Sequence, residues 1–168
     1  MRTVCTVVMA AVLLSIGAQP AIPAASLQPA DAIVVRKSER SLLLMRDGAV
    51  ISQYRVSLGL EPNGPKLREG DFRTPEGRYR LIRRNARSDF FLSIQISYPN
   101  GRDIARARRL GAAPGGQIMI HGAPNWPKYP PEYYAQRDWT DGCIAVSNSD
   151  MVEIWMLTGQ DTPIEILP

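Results

Sequence analysis

Two side chains stand out as equipped for covalent chemistry, a thiol and an imidazole that have almost no others of their kind in the chain. The sequence holds two cysteines and one histidine. His121 closes the apolar run "QIMIHG", and Cys143 follows 22 residues later in "WTDGCIAVSNSD". A free thiol titrates near about 8.5, so only a few per cent is thiolate at neutral pH. An adjacent imidazole raises that fraction or takes the proton during attack. Gly142 lets the chain turn sharply before the sulfur, and the amides of Gly142 and Cys143 could then face a developing oxyanion. Taken singly, a buried inert cysteine and a hydrogen-bonded structural histidine remain open for this pair.

The other cysteine, Cys5, belongs to a different kind of segment. Arg2 is followed by an uncharged apolar run from Val4 to Gly17, and then by small residues at Gly17, Ala18 and Ala21. That layout is a secretory signal peptide over residues 1–25, with cleavage near residues 18–25. An uncleaved N-terminal anchor is the alternative. Residues 26–168 would form the mature domain, exported to the periplasm or cell envelope, with Cys143 its only cysteine. Oxidising compartments favour paired cysteines, so a lone one is either inert or kept for its reactivity.

The chain of 168 residues suits one domain. Without Arg2 it carries 19 basic against 16 acidic residues, a balance of +3. So mild a charge does not indicate nucleic acid, and it suits an anionic wall polymer or peptide. One histidine leaves no zinc set, so neither metal nor cofactor is expected. Ser-x-x-Lys, the nucleophile motif of penicillin-binding enzymes, does not occur.

Most of the body reads as short strands divided by turn residues. Strands are expected at Ala32–Arg36, Ser41–Met45, Val50–Leu58, Gly77–Arg83, Phe90–Ser97, Gln117–Gly122, in "CIAV" and in "TPIEIL". Asp47-Gly48 suits a tight hairpin. Two helices are expected, over Arg102–Gly111 and over Ser147–Gly159, the second opening on a Ser-x-x-Asp capping pattern. The fold class is therefore mainly β, a sandwich or barrel-like domain with two or so short helices. The proline- and aromatic-rich segment between His121 and Cys143 reads as a long surface loop.

With these elements in place, "IHGAPN…WTDGCIAVSNSDM" resembles the catalytic signature of the L,D-transpeptidases, the YkuD-like domain. "SLG" at Ser57–Gly59 and "TPEGRY" at Thr74–Tyr79 resemble the family's upstream elements, and the likeness spans residues 31–168. It implies a β-sandwich enzyme acting on peptidoglycan stem peptides. Cys143 would attack the amide after the L-centre of diaminopimelate and pass the acyl group to an amine, or to water. The resemblance also makes His121 the general base, Gly122 its orienting partner through the backbone carbonyl, and Gly142 and Cys143 the oxyanion hole. Thr140 matches the motif's Ser/Thr position. Two positions depart from the pattern: Asp141 stands where histidine is frequent, and Ala145 where arginine is usual.

Arg83 and Arg87 are candidate stand-ins for that arginine, though charge runs are usually solvated faces. Trp126 and its neighbouring aromatics could wall a substrate cleft or pin the loop. Three readings remain: a thiol transpeptidase, a thiol hydrolase on the same scaffold, and a non-catalytic wall-binding module. In each the chain is expected to be a monomer, with peptidoglycan as partner and no membrane span once the signal is removed.

Overall fold

The computed structural model describes residues 28–168. The proposed signal segment and Cys5 lie outside the described residues. Strands β1 (Ala32–Arg36), β2 (Ser41–Arg46) and β3 (Ala49–Arg55) form an antiparallel meander. The β2–β3 turn has positive φ at both Asp47 and Gly48, as a tight Asp-Gly hairpin requires. Strands β4 (Gly77–Ser88) and β5 (Phe91–Ile96) make a second hairpin, and helix α1 (Gly101–Arg109) follows. Asn100 and Asp103 form a reciprocal capping box at the start of α1. Strand β6 (Met119–His121), helix α2 (Pro131–Gln136), strand β7 (Ile144–Ala145), helix α3 (Asn148–Leu157) and strand β8 (Pro163–Leu167) complete the described chain.

The strands hydrogen-bond in the order β3-β2-β1-β8-β4-β5-β6-β7. β4 belongs to two halves of this sheet: Gly77–Arg80 pair with β8, and the remainder pairs with β5. Inward side chains from both halves, including Ile33, Val35, Leu42, Ile94, Ile96, Ile120 and Ile144, fill one core. The two ends of the strand order also meet. Ser57, just beyond β3, exchanges two backbone hydrogen bonds of 2.8 Å with Ala145 of β7. The mainly-β sandwich expected from the sequence is therefore closed on itself beside the cysteine.

β4 runs to Ser88, past the expected end at Arg83. Its polar second half lacks an apolar alternation but pairs with β5 through Arg83–Asn85 and Ser88, with a bulge between them. Helix α2 was not expected within the aromatic loop; Pro131 sits in its first turn, where a missing N–H costs nothing. α3 buries Met151, Ile154 and Leu157. Trp155 only packs at the core margin, and the Arg84 guanidinium stacks 4.1 Å over its ring.

Candidate active site

β6 and β7 run parallel, with Ile120 opposite Ile144 and His121 opposite Ala145. Side chains alternate along a strand, so Ile120 and Ile144 enter the core while His121 and Ala145 share the opposite face. Cys143 immediately precedes β7, and its Sγ lies against the backbone of Gln117 and Met119, the segment that leads into His121. The pairing of β6 with β7 thus brings the segments that carry His121 and Cys143 together, although 22 residues separate them in sequence. The Val146 amide bonds the His121 carbonyl at 2.9 Å and locks this register.

The imidazole is 4% exposed. Its Nδ1 lies 2.8 Å from the Gly122 carbonyl oxygen, which can only accept, so Nδ1 carries the proton and Nε2 keeps its lone pair. Phe90 and Trp139 flank the ring at centroid distances of 4.6 and 5.6 Å. Burial pushes the imidazole pKa down to about 4, opposed only partly by the bond to Gly122. Cys143 is a free thiol, half-buried, with Sγ 3.7 Å from the Gln117 carbonyl oxygen. Burial pushes this thiol up; Asp141 adds to the effect, while a backbone hydrogen bond at Met119 and the Lys66 charge pull the other way. The resting pair is therefore neutral thiol beside neutral imidazole. Of the two roles open to the histidine, taking the proton during attack fits this electrostatic setting, and a standing thiolate does not.

This burial predicts a signature in stability. The folded imidazole titrates near about 4 and the unfolded one near 6.5, so the unfolded chain holds the extra proton between those values. Stability must then fall as the pH drops through that window, by about 1.4 kcal/mol per pH unit for one group. Denaturant unfolding across the window should show the slope in the native protein, reduced by about one proton in His121→Gln. Equal slopes in both proteins would contradict the burial.

Thr140 is a brace for the turn. Its hydroxyl donates to the Cys143 carbonyl at 2.8 Å and accepts from the Gly142 amide at 3.1 Å, and the residue is 4% exposed. It is not placed to meet substrate. The same bond occupies the Gly142 amide, one of the two expected oxyanion donors. Gly142 has φ +128°, and a Cβ there would sit 2.6 Å from the Arg73 carbonyl oxygen. The turn before Cys143 thus rests on the β3–β4 connection.

That connection is held by two buried lysines the sequence reading passed over. Lys37 donates to Gly64 and Thr74 carbonyls at 2.6 and 3.1 Å and pairs with Glu76 at 2.8 Å. Burial pushes its pKa down despite Glu76. Lys66 pairs with Asp71 at 2.7 Å, and Asp71 also accepts from the amides of Leu67, Arg68 and Arg73. Although burial opposes it, this set of donors holds the Asp71 carboxyl below its usual range. Charged residues in a glycine- and proline-rich stretch read as solvated loop, and only the fold shows them anchored inside.

Arg83 and Arg87 lie exposed on β4. Neither lines the two cavities that meet at Trp139. Asp141 is exposed next to the turn, and Trp126 is 90% exposed. Trp126 forms the rim of one of those cavities, about 380 Å³, with Phe90, Tyr129, Tyr133 and Trp139. The other, about 350 Å³, opens along Ala145 and includes Arg55.

Residues 30–166 match the L,D-transpeptidase catalytic domain family (YkuD). The chain belongs to that family. Escherichia coli (strain K12) YafK, named as an L,D-transpeptidase, is 33% identical over 96 residues, which cover 54% of this chain and 37% of YafK. The chain thus matches little more than a third of that relative's length. Among solved structures, Pgp2 of Campylobacter jejuni, a helical cell shape determining protein, is 25% identical with a TM-score of 0.62. That match covers 80% of this chain and 46% of Pgp2. An L,D-transpeptidase of Xylanimonas cellulosilytica shares the fold at 17% identity and a TM-score of 0.51, over 83% of this chain and 61% of that one. His121 and Cys143 both lie within the matched residues.

Proposed function

We propose that this L,D-transpeptidase-family chain is an exported enzyme that acts on peptidoglycan stem peptides through a cysteine thioester. The observation that supports the reading is the β6–β7 register, which sets Cys143 at the start of the strand paired with that of His121, with the imidazole tautomer set by Gly122. As Sγ attacks the carbonyl carbon, its proton passes to Nε2 of His121. The Cys143 N–H donates to the oxygen that becomes negative. When the amide C–N bond breaks, the imidazolium returns the proton to the departing amine, D-alanine in a tetrapeptide stem. An incoming amine then attacks the thioester with His121 again as base, and the thiol is released. Buried His121 remains neutral over the working range and so is ready to accept the proton.

Residues 1–25 would deliver the chain to the envelope, where the substrate lies. No helix among the described residues is long and apolar enough to cross a membrane. The chain would work there as a monomer without a cofactor.

Mass spectrometry of the protein with disaccharide tetrapeptides tests the activity. Exchange of the terminal D-alanine for a supplied D-amino acid, or joined muropeptides, is the expected product. Shortened stems without new bonds would identify water as the acceptor and a hydrolase on this scaffold. Intact tetrapeptides under all conditions would refute the reading and leave a wall-binding module.

A further inference from the structure

The cavity along Ala145 opens on the strand that Cys143 immediately precedes. Ala145 is opposite His121 and two residues beyond Cys143, about 7 Å along the strand. Its walls are largely apolar, with Val56, Tyr134 and Trp139 contributing alongside the Ala145 methyl. Two charged side chains of opposite sign complete it, Arg55 and Asp150. Among the described residues, neither joins an ion pair.

Sheet closure brings them together. The antiparallel bridge between Ser57 and Ala145 carries Arg55, two residues earlier, toward Ser147 at the start of α3. Asp150 occupies the first turn of that helix, its amide held by the Ser147 hydroxyl at 3.1 Å. The Arg55 guanidinium donates from Nε to the Ala135 carbonyl at 2.9 Å and from Nη2 to that of Gln136 at 3.5 Å. Those bonds orient the group and leave further N–H donors for a ligand.

We propose that this cavity is a subsite for the zwitterionic end of the diaminopimelate side chain, with Arg55 taking its carboxylate and Asp150 its ammonium. The inference rests on the stem-peptide reading above. A substrate carbonyl held at Cys143 would have its side chain a few ångströms away, and Ala145, two residues on, belongs to the cavity wall that also holds the two charges. Tyr134 and Trp139 cover the methylenes. The short Ala145 side chain leaves this cavity open where the family signature usually has arginine, and Arg55 supplies a guanidinium from the neighbouring strand instead.

The test compares two tetrapeptides that differ only at the third residue, meso-diaminopimelate against L-lysine. Lysine keeps the ammonium and lacks the carboxylate. Binding to the Cys143→Ala protein is measured by calorimetry, so that turnover does not interfere. Arg55→Gln should weaken the diaminopimelate peptide about tenfold and the lysine peptide less than twofold. Asp150→Asn should weaken both, and Arg55→Lys should restore part of the preference. Equal losses on the two peptides with Arg55→Gln would reduce Arg55 to a support for α2 and overturn the proposal, as would no change on either. If the native protein turns over the tetrapeptides but shows none of these preferences, the subsite alone fails. If it neither binds nor turns over either peptide, the stem-peptide reading falls and the subsite with it.

Discussion

Cys143→Ser should leave the protein folded and lower its turnover of tetrapeptide stems by at least about a thousandfold. Serine preserves the shape of the side chain and the turn around it, but its hydroxyl is a far weaker acid than a thiol. The imidazole that must accept the proton is itself a weakened base, because burial pushes its pKa down to about 4. A base so tuned can assist a thiol and has little to offer an alcohol. Thermal stability should change little, since the half-buried thiol contacts only backbone atoms at Gln117 and Met119, the first at 3.7 Å. Turnover above a tenth of the native rate would refute the nucleophile assignment. Unaltered far-ultraviolet dichroism must accompany the loss, so that misfolding is not mistaken for chemistry.

Gly59→Ala should be among the most damaging changes to stability, costing roughly 3 kcal/mol or more. A Cβ at Gly59 would overlap the Phe72 carbonyl oxygen and lie 3.1 Å from the Gly142 Cα. None of the obstructing atoms is a flexible side-chain end. The Phe72 carbonyl accepts from the Glu61 amide at 3.1 Å, and the Gly59 amide donates to the Thr74 hydroxyl at 3.1 Å. Relief would therefore part the two arms of the β3–β4 connection, breaking both bonds, or press Gly59 against the turn before Cys143. Chemical denaturation should show the loss, and residual activity should fall further than the folded fraction alone explains, because Gly142 loses its support. A variant as stable as the native protein would contradict the packing described.

Scarcity and context single out Cys143 and His121 in the sequence, and most strands were legible from their apolar runs. Thr140 matched a motif position, but its buried hydroxyl proved to serve the turn, a role that spacing does not express. Helix α2 was hidden by prolines and by its lack of a buried face. Arg55 escaped notice because its importance depends on the Ser57–Ala145 bridge, a contact between segments 88 residues apart. Lys66 and Asp71 carry no local signal, and only the buried ion pair between them and the amides around Asp71 distinguish them. What stayed hidden in each case is long-range placement, which local pattern does not encode.

The position of β8 has a consequence for how the chain acquires its structure. This strand, the last described, lies inside the sheet between β1 and β4, parallel to the first and antiparallel to the second. A growing polypeptide that has not yet produced Pro163–Leu167 has no means of joining its two halves at that point, however complete the residues around Cys143. Folding must wait on pairing between the earliest and latest strands, the kind of distant contact that slows it. Until then β1 and β4 present unpaired edges, so a stalled or truncated chain would be a target for chaperones and proteases rather than a partly working enzyme.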